Sequence, residues 1–221
     1  MKIKWLGHAC FLIAARDGVR VVTDPYAVGA GIQYLPIKES ADVVLVSHDH
    51  DDHRNVSAVQ GNPEVVRGSG TKTAKRVQFK GITTQHDASG GEQRGSNTVF
   101  CFTMDDIKLC HLGDLGHVLS SKQVDEIGAV DVLFVPVGGV YTIDASVASQ
   151  VCGQLEPKVV IPMHFKTPDC AYPLAGVDDF LEGKKSVRRI AGSELELDHD
   201  NLPTAAEIVL LEPALSQSGQ G

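Results

Sequence analysis

Apolar residues fall in short blocks along this chain, and their spacing changes between its halves. In the first half they read as strands joined by tight turns. Residues 2–7 (KIKWLG) and 10–15 (CFLIAA) have strand composition, Asp17-Gly18 marks a hairpin turn, and a further strand covers 19–23 until Asp24-Pro25 stops it. Residues 42–46 (DVVLV) form a continuous apolar run, the pattern of a strand buried on both faces. A short helix is expected at 54–60, then strands at 64–67, 76–79, 82–85, 97–103 and 107–112, the last two joined at Asp105-Asp106. Helical spacing begins later. Serines open a helix over 120–127, and Asp144 caps another that runs to Leu155, with Val147, Val151 and Leu155 on one face. Buried strands at 130–137 and 159–163, a helix at 177–181 and a strand at 207–211 complete the chain. Many strands in two groups, with helices to cover their outer faces, predict an α/β fold built as a four-layer αββα sandwich. No repeat or linker interrupts it, so residues 1–215 read as one domain and 216–221 (SQSGQG) as a disordered tail.

Composition narrows the class. Hydrophobic residues make up 43% and charged residues 22% of the 221, enough for a real core. The formal net charge of -8 disfavours long nucleic acids as partners, since no basic patch offsets it. The five cysteines form no CxxC pair and lie mostly in apolar runs, as buried free thiols do. The start MKIKWLGH lacks the apolar region of a signal peptide, and no run reaches the roughly 20 residues of a membrane span. These features place the protein in the cytoplasm and leave a homo-oligomer open.

The strongest chemical signal is Ser47-His48-Asp49-His50-Asp51-Asp52-His53, directly after a buried strand. Three histidines and three carboxylates in six positions are costly as a plain surface turn and well suited to divalent metals. His48 and His50 can grip one ion, and Asp52 and His53 can reach a second. Each ion needs about three protein ligands plus an open position, so further donors are required. His86, Asp114 and His164 each follow a strand-like segment and are the candidates, with His111 the rival to His86.

The motif HxHxDH at 48–53, with a later histidine, aspartate and histidine in that order, resembles the metallo-β-lactamase superfamily. GHACFLI (7–13), TDP (23–25), HLGD (111–114), PVGGVYTID (136–144) and PMHF (162–165) are similar to the branch containing L-ascorbate-6-phosphate lactonase. That resemblance implies His48, His50 and His86 at a first metal, Asp52, His53 and His164 at a second, and Asp114 between them. It implies a metal-bridged hydroxide cleaving a small ester, lactone or related substrate, with a phosphodiesterase on nucleotide or lipid-derived phosphodiesters as the alternative. Asp52 and His8 are the candidate catalytic residues. Two divalent ions are expected, zinc first, with manganese or nickel also matching the donors. Asp24 is a candidate to orient a ligand histidine, and Gly138-Gly139, Tyr141 and Thr142 to line the pocket. Lys166 and Arg94 are candidate anion clamps, and residues 87–96 read as a mobile loop over the site. Relatives that reduce oxygen carry a glutamate where His50 stands, and no GxSxG elbow is present.

Overall fold

The computed structural model describes residues 1–217, as two packed sheets with a helical layer over one of them. The strands run in order as β1 (Lys2–Gly7), β2 (Cys10–Ala14), β3 (Arg20–Thr23), β4 (Val43–Val46), β5 (Glu64–Arg67), β6 (Gly70–Ala74), β7 (Val77–Gln85), β8 (Ser96–Met104) and β9 (Ile107–His111). Then follow α1 (Ser121–Ile127), β10 (Val132–Pro136), α2 (Ala145–Leu155), β11 (Val159–Met163), α3 (Asp178–Leu181), β12 (Val187–Arg189), β13 (Glu194–Glu196) and β14 (Glu207–Leu210). The smaller sheet has the order β13-β1-β2-β3-β4-β5, and the larger β12-β14-β11-β10-β9-β8-β7-β6.

Strand alternation decides which residues meet. Ile3, Trp5, Phe11, Ile13, Val21, Val43 and Leu45 face the larger sheet and join its core. The Phe11 ring lies 4.6 Å from that of Phe134, across the seam between the sheets. Leu6, Leu12, Val22, Val44 and Val46 point the other way. Tyr26, Ile32, Tyr34, Ile37 and Val59, on irregular chain, cover them. The outer layer on that side is therefore coil with one 3-10 turn, while α1 and α2 pack on the larger sheet. Both long helices carry the expected caps. Ser120 and Gln123 form a reciprocal capping box, and Asp144 accepts from the Val147 N–H.

The α/β two-sheet architecture follows the sequence reading, and several elements differ from it. The helix expected at 54–60 reduces to the 3-10 turn Val56–Ala58. The strands expected at 76–79 and 82–85 are one continuous β7. Gly81 does not break it; a Cβ there would lie 2.2 Å from the Gly68 carbonyl oxygen, so glycine permits a close strand crossing. β6, β12 and β13 were not expected. At the C-terminus, Ser216 donates to Asp169 and the Gln217 N–H reaches the same carboxylate at 3.2 Å, while the rest of the expected tail, 218–221, lies outside the described residues.

Candidate metal centre at the rim of the sandwich

Pairing directions put the chemistry on one rim. β1, β3 and β4 run the same way in the smaller sheet, as do β7, β9 and β11 in the larger. Their C-terminal ends deliver His8, Asp24, the 48–53 loop, His86, Asp114 and His164 respectively. Three of these residues have left-handed backbone: His8 (φ 54), Asp24 (φ 38) and His164 (φ 52). Such conformations in non-glycine residues persist only where the surroundings enforce them. Here the His8 carbonyl accepts from the Trp5 indole at 3.0 Å and from the His164 N–H at 3.3 Å. Gly138 makes room beside them, since a Cβ would stand 2.2 Å from the His164 carbonyl oxygen.

Four imidazoles converge on one carboxylate oxygen. The Nε2 atoms of His48, His53, His86 and His164 lie 3.8, 3.3, 3.2 and 3.2 Å from Asp114 Oδ2. His50 Nδ1 lies 3.1 Å from His48 Nε2, and Asp52 Oδ2 lies 3.8 Å from His53 Nε2. His8 Nε2 is 3.2 Å from Asp52 Oδ2. The donor atoms fall into three overlapping groups, His48/His50/His86, His48/His53/Asp114 and His8/Asp52/His53/His164, each with its atoms within 4.8 Å of one another.

The hydrogen bonds behind these rings fix their tautomers. Ser47 Oγ donates to Asp24 Oδ2 at 2.7 Å, so its contact with His48 Nδ1 at 2.9 Å requires Nδ1–H to be the donor. That leaves His48 Nε2 as a bare lone pair facing the centre. Asp24 Oδ2 also accepts from His53 Nδ1 at 3.1 Å, which turns His53 Nε2 inward in the same way. His53 Nε2 and Asp114 Oδ1 are buried with no hydrogen-bond partner. The His48 lone pair, the inward-turned His53 Nε2 and an orphaned carboxylate oxygen at one point fit divalent cations, and among the described residues no protein donor satisfies Asp114 Oδ1. Asn97 secures Asp114: its Oδ1 accepts from the Asp114 N–H at 2.9 Å.

Electrostatics tell the same story in the metal-free chain. Burial, reinforced by the charge of His53, pushes His48 down to about 3. Burial and His164 push His8 down to about 4, so it is neutral at pH 7. For His53 burial works against the charged form, but Asp114 and Asp52 outweigh it and hold the ring well above its ordinary value. Asp114 goes the other way: despite burial, His164 and His53 hold its carboxyl far below the carboxylate range. This density of opposed charge is what a cation would relieve.

His111 is not among the converging rings. Its Nε2 donates to the Ala9 carbonyl at 3.0 Å and its Nδ1 accepts from the Gly113 N–H at 3.2 Å, so both nitrogens are engaged elsewhere. Lys166 is likewise occupied, by the carbonyls of Cys170 and Tyr172. Residues 87–95 form a closed turn in place of a free loop, because the Asp87 carboxylate accepts four backbone N–H groups, from Ser89, Gly91, Gln93 and Arg94. Sequence reading did not single out Tyr172, whose ring lies 6.2 Å from that of His8 and 5.7 Å from that of Tyr141. Ser47 and Asn97 were missed too. Ser47 had a local signal, its place beside His48; Asn97 acts only through contacts made in the fold.

Residues 2–164 match the β-lactamase superfamily domain. A metal-dependent hydrolase of Carboxydothermus hydrogenoformans is 32% identical over 194 residues, 76% of this chain and 85% of that protein. Another, from Archaeoglobus fulgidus, is 28% identical over 217 residues, 84% of this chain and 91% of that protein. A crystal structure from Thermotoga maritima, described as a Zn-dependent hydrolase of the metallo-β-lactamase superfamily, is 43% identical. It covers 96% of this chain and 98% of its own, with a TM-score of 0.78. With an HxHxDH loop, a matching fold and these relatives, the chain belongs to the metallo-β-lactamase superfamily, among its metal-dependent hydrolases.

Proposed function

We propose that the rim cluster holds two divalent ions and that the protein hydrolyses a small ester, lactone or related carbonyl substrate. The observation that carries this reading is the convergence of four imidazole Nε2 atoms on Asp114 Oδ2. His48, His50 and His86 would hold one ion, Asp52, His53 and His164 the other, and Asp114 would stand between them. Zinc is the first choice for these nitrogen and oxygen donors, which manganese and nickel also suit. When bound, the ions supply Lewis acidity and ionise a water molecule near neutral pH.

The chain's own residues do the rest. Asp24 and Ser47 hold the His53 and His48 rings in the tautomers that present Nε2 inward. His8 keeps its one proton at Nε2 against Asp52 and so holds that carboxylate toward the centre. Asp52 orients the attacking water from the same side. Among the described residues no thiol competes for the role of nucleophile at this rim: Cys10 and Cys170 are buried, and burial raises both above their ordinary value. The lactone end of the substrate range rests on the similarity of the GHACFLI, HLGD and PVGGVYTID segments to the lactonase branch.

The test combines elemental analysis with a substrate panel of lactones, aryl esters and bis-nitrophenyl phosphate. Expected are two ions per chain and faster turnover of the carbonyl substrates; preference for the phosphodiester would replace this reading with its alternative. The double variant His48→Ala/His53→Ala should lose its metal and its turnover while its circular dichroism stays native. Activity that persists in that variant would exclude the mechanism.

A further inference from the structure

Arg94 has a setting that the metal cluster does not explain. It ends the turn organised by Asp87, and the next residue, Gly95, accepts the His86 N–H at 3.0 Å. Its guanidinium lies over the Tyr141 ring, 4.5 Å from the centroid. Tyr141 meets Tyr172 edge-on, and Tyr172 in turn approaches His8. Arg94 also lines a cavity of about 580 Å³ whose other walls include His48, His50 and Arg67. A chain of contacts thus runs from the cavity beside one metal-ligand group, through two tyrosines, to the other group at His8.

Charge accounting singles Arg94 out. The two exposed acids of the metal loop are already matched: Asp49 pairs with Arg67 and Asp51 with Arg54, each at 2.8 Å. Arg94 makes no ion pair among the described residues, and its stack on Tyr141 leaves the guanidinium edge free to donate. The whole molecule carries a net charge of -8, so the part of a substrate that lies away from the metals gains most from a local cation if it is anionic. We infer that Arg94, braced on Tyr141, is the specificity-determining residue that grips a carboxylate or phosphate group on the substrate while its ester or lactone lies at the metals. This rests on the hydrolase reading and narrows it to anionic substrates.

The test uses the full-length, zinc-loaded chain and two aryl esters with the same leaving group, one carrying a free carboxylate and one its neutral amide. In Arg94→Gln the KM for the anionic ester should rise about 10- to 100-fold more than that for the neutral one, as expected for a lost charge-assisted, bidentate contact. The ratio of the two kcat values should hold. Arg94→Lys should recover part of the difference, because a lysine keeps the charge and loses the fork. Glu92→Gln, on the same turn, should leave the ratio of KM values unchanged. A second readout does not depend on turnover: calorimetric binding of inorganic phosphate should weaken by a similar factor in Arg94→Gln, with zinc content unaltered. Equal losses on both esters, or unchanged phosphate binding, would overturn the assignment of Arg94. Absence of zinc or of any ester turnover in the parent chain would instead overturn the hydrolase reading, and phosphate binding would still report on Arg94.

Discussion

Asp24 makes three contacts with two oxygens: Oδ1 accepts from the Ser47 N–H, and Oδ2 from both the Ser47 hydroxyl and His53 Nδ1. An amide in its place cannot accept at both atoms, because one becomes an NH₂ donor. Asparagine tolerates left-handed backbone, so Asp24→Asn leaves the turn in place and isolates the lost acceptor. Zinc affinity should fall about 10- to 100-fold, measured by competition with a chromophoric chelator. Unchanged affinity would mean that His53 needs no orienting partner. At this scale the sequence was informative where chemistry is contiguous or stands at a strand's end. His48 to His53 are neighbours in the chain, and His86, Asp114 and His164 each close a strand segment. Tyr172 and Asn97 were not legible, because their meaning comes from a tyrosine, a histidine or a backbone N–H brought close only by folding.

Among elements, the rim opposite the candidate metal centre has its own tie. Asp131 accepts from the Lys108 N–H and from Lys158 Nζ, each at 2.9 Å, linking the starts of β9, β10 and β11. Burial raises its carboxyl, but the Lys108 N–H and the Lys158 charge outweigh this and hold it below the ordinary value. A depressed folded-state pKa contributes stability that is present above the unfolded value of about 3.9 and lost as pH falls through the folded value. Asp131→Asn should therefore lower the urea midpoint at pH 7, and the gap to the parent chain should close as pH drops below about 4. A gap that is constant with pH would assign the effect to packing. Strands with alternating or continuous apolar residues were legible, and so were the capped helices, because each bears its signal locally. β6 (GTKTA) and β12 (VRR) were not: both are sheet edges with largely exposed polar side chains, and pairing to a neighbour alone makes them strands.

Across the whole molecule, the two sheets contribute unequally to the site. His48, His50, Asp52, His53 and the orienting Asp24 come from the smaller sheet's half, and His86, Asp114 and His164 from the larger. A metal bound there links both sheets beyond what their shared core achieves. Zinc at about 1,000 times its Kd should add about 4 kcal/mol, which for a chain of this size raises Tm by roughly 10 °C. The His48→Ala/His53→Ala variant should show no such rise in a thermal scan with and without zinc.

The split of donors between the sheets also sets an order of events during synthesis. A growing chain that stops before β11 has the 48–53 loop but neither the last candidate ligand, His164, nor the strand that carries it. Until β11 has joined its sheet and closed against the other, the early histidines hold only a partial set of donors. On the proposed ligand set, hydrolytic competence would arrive together with completion of the fold, and unfinished chains would be inert.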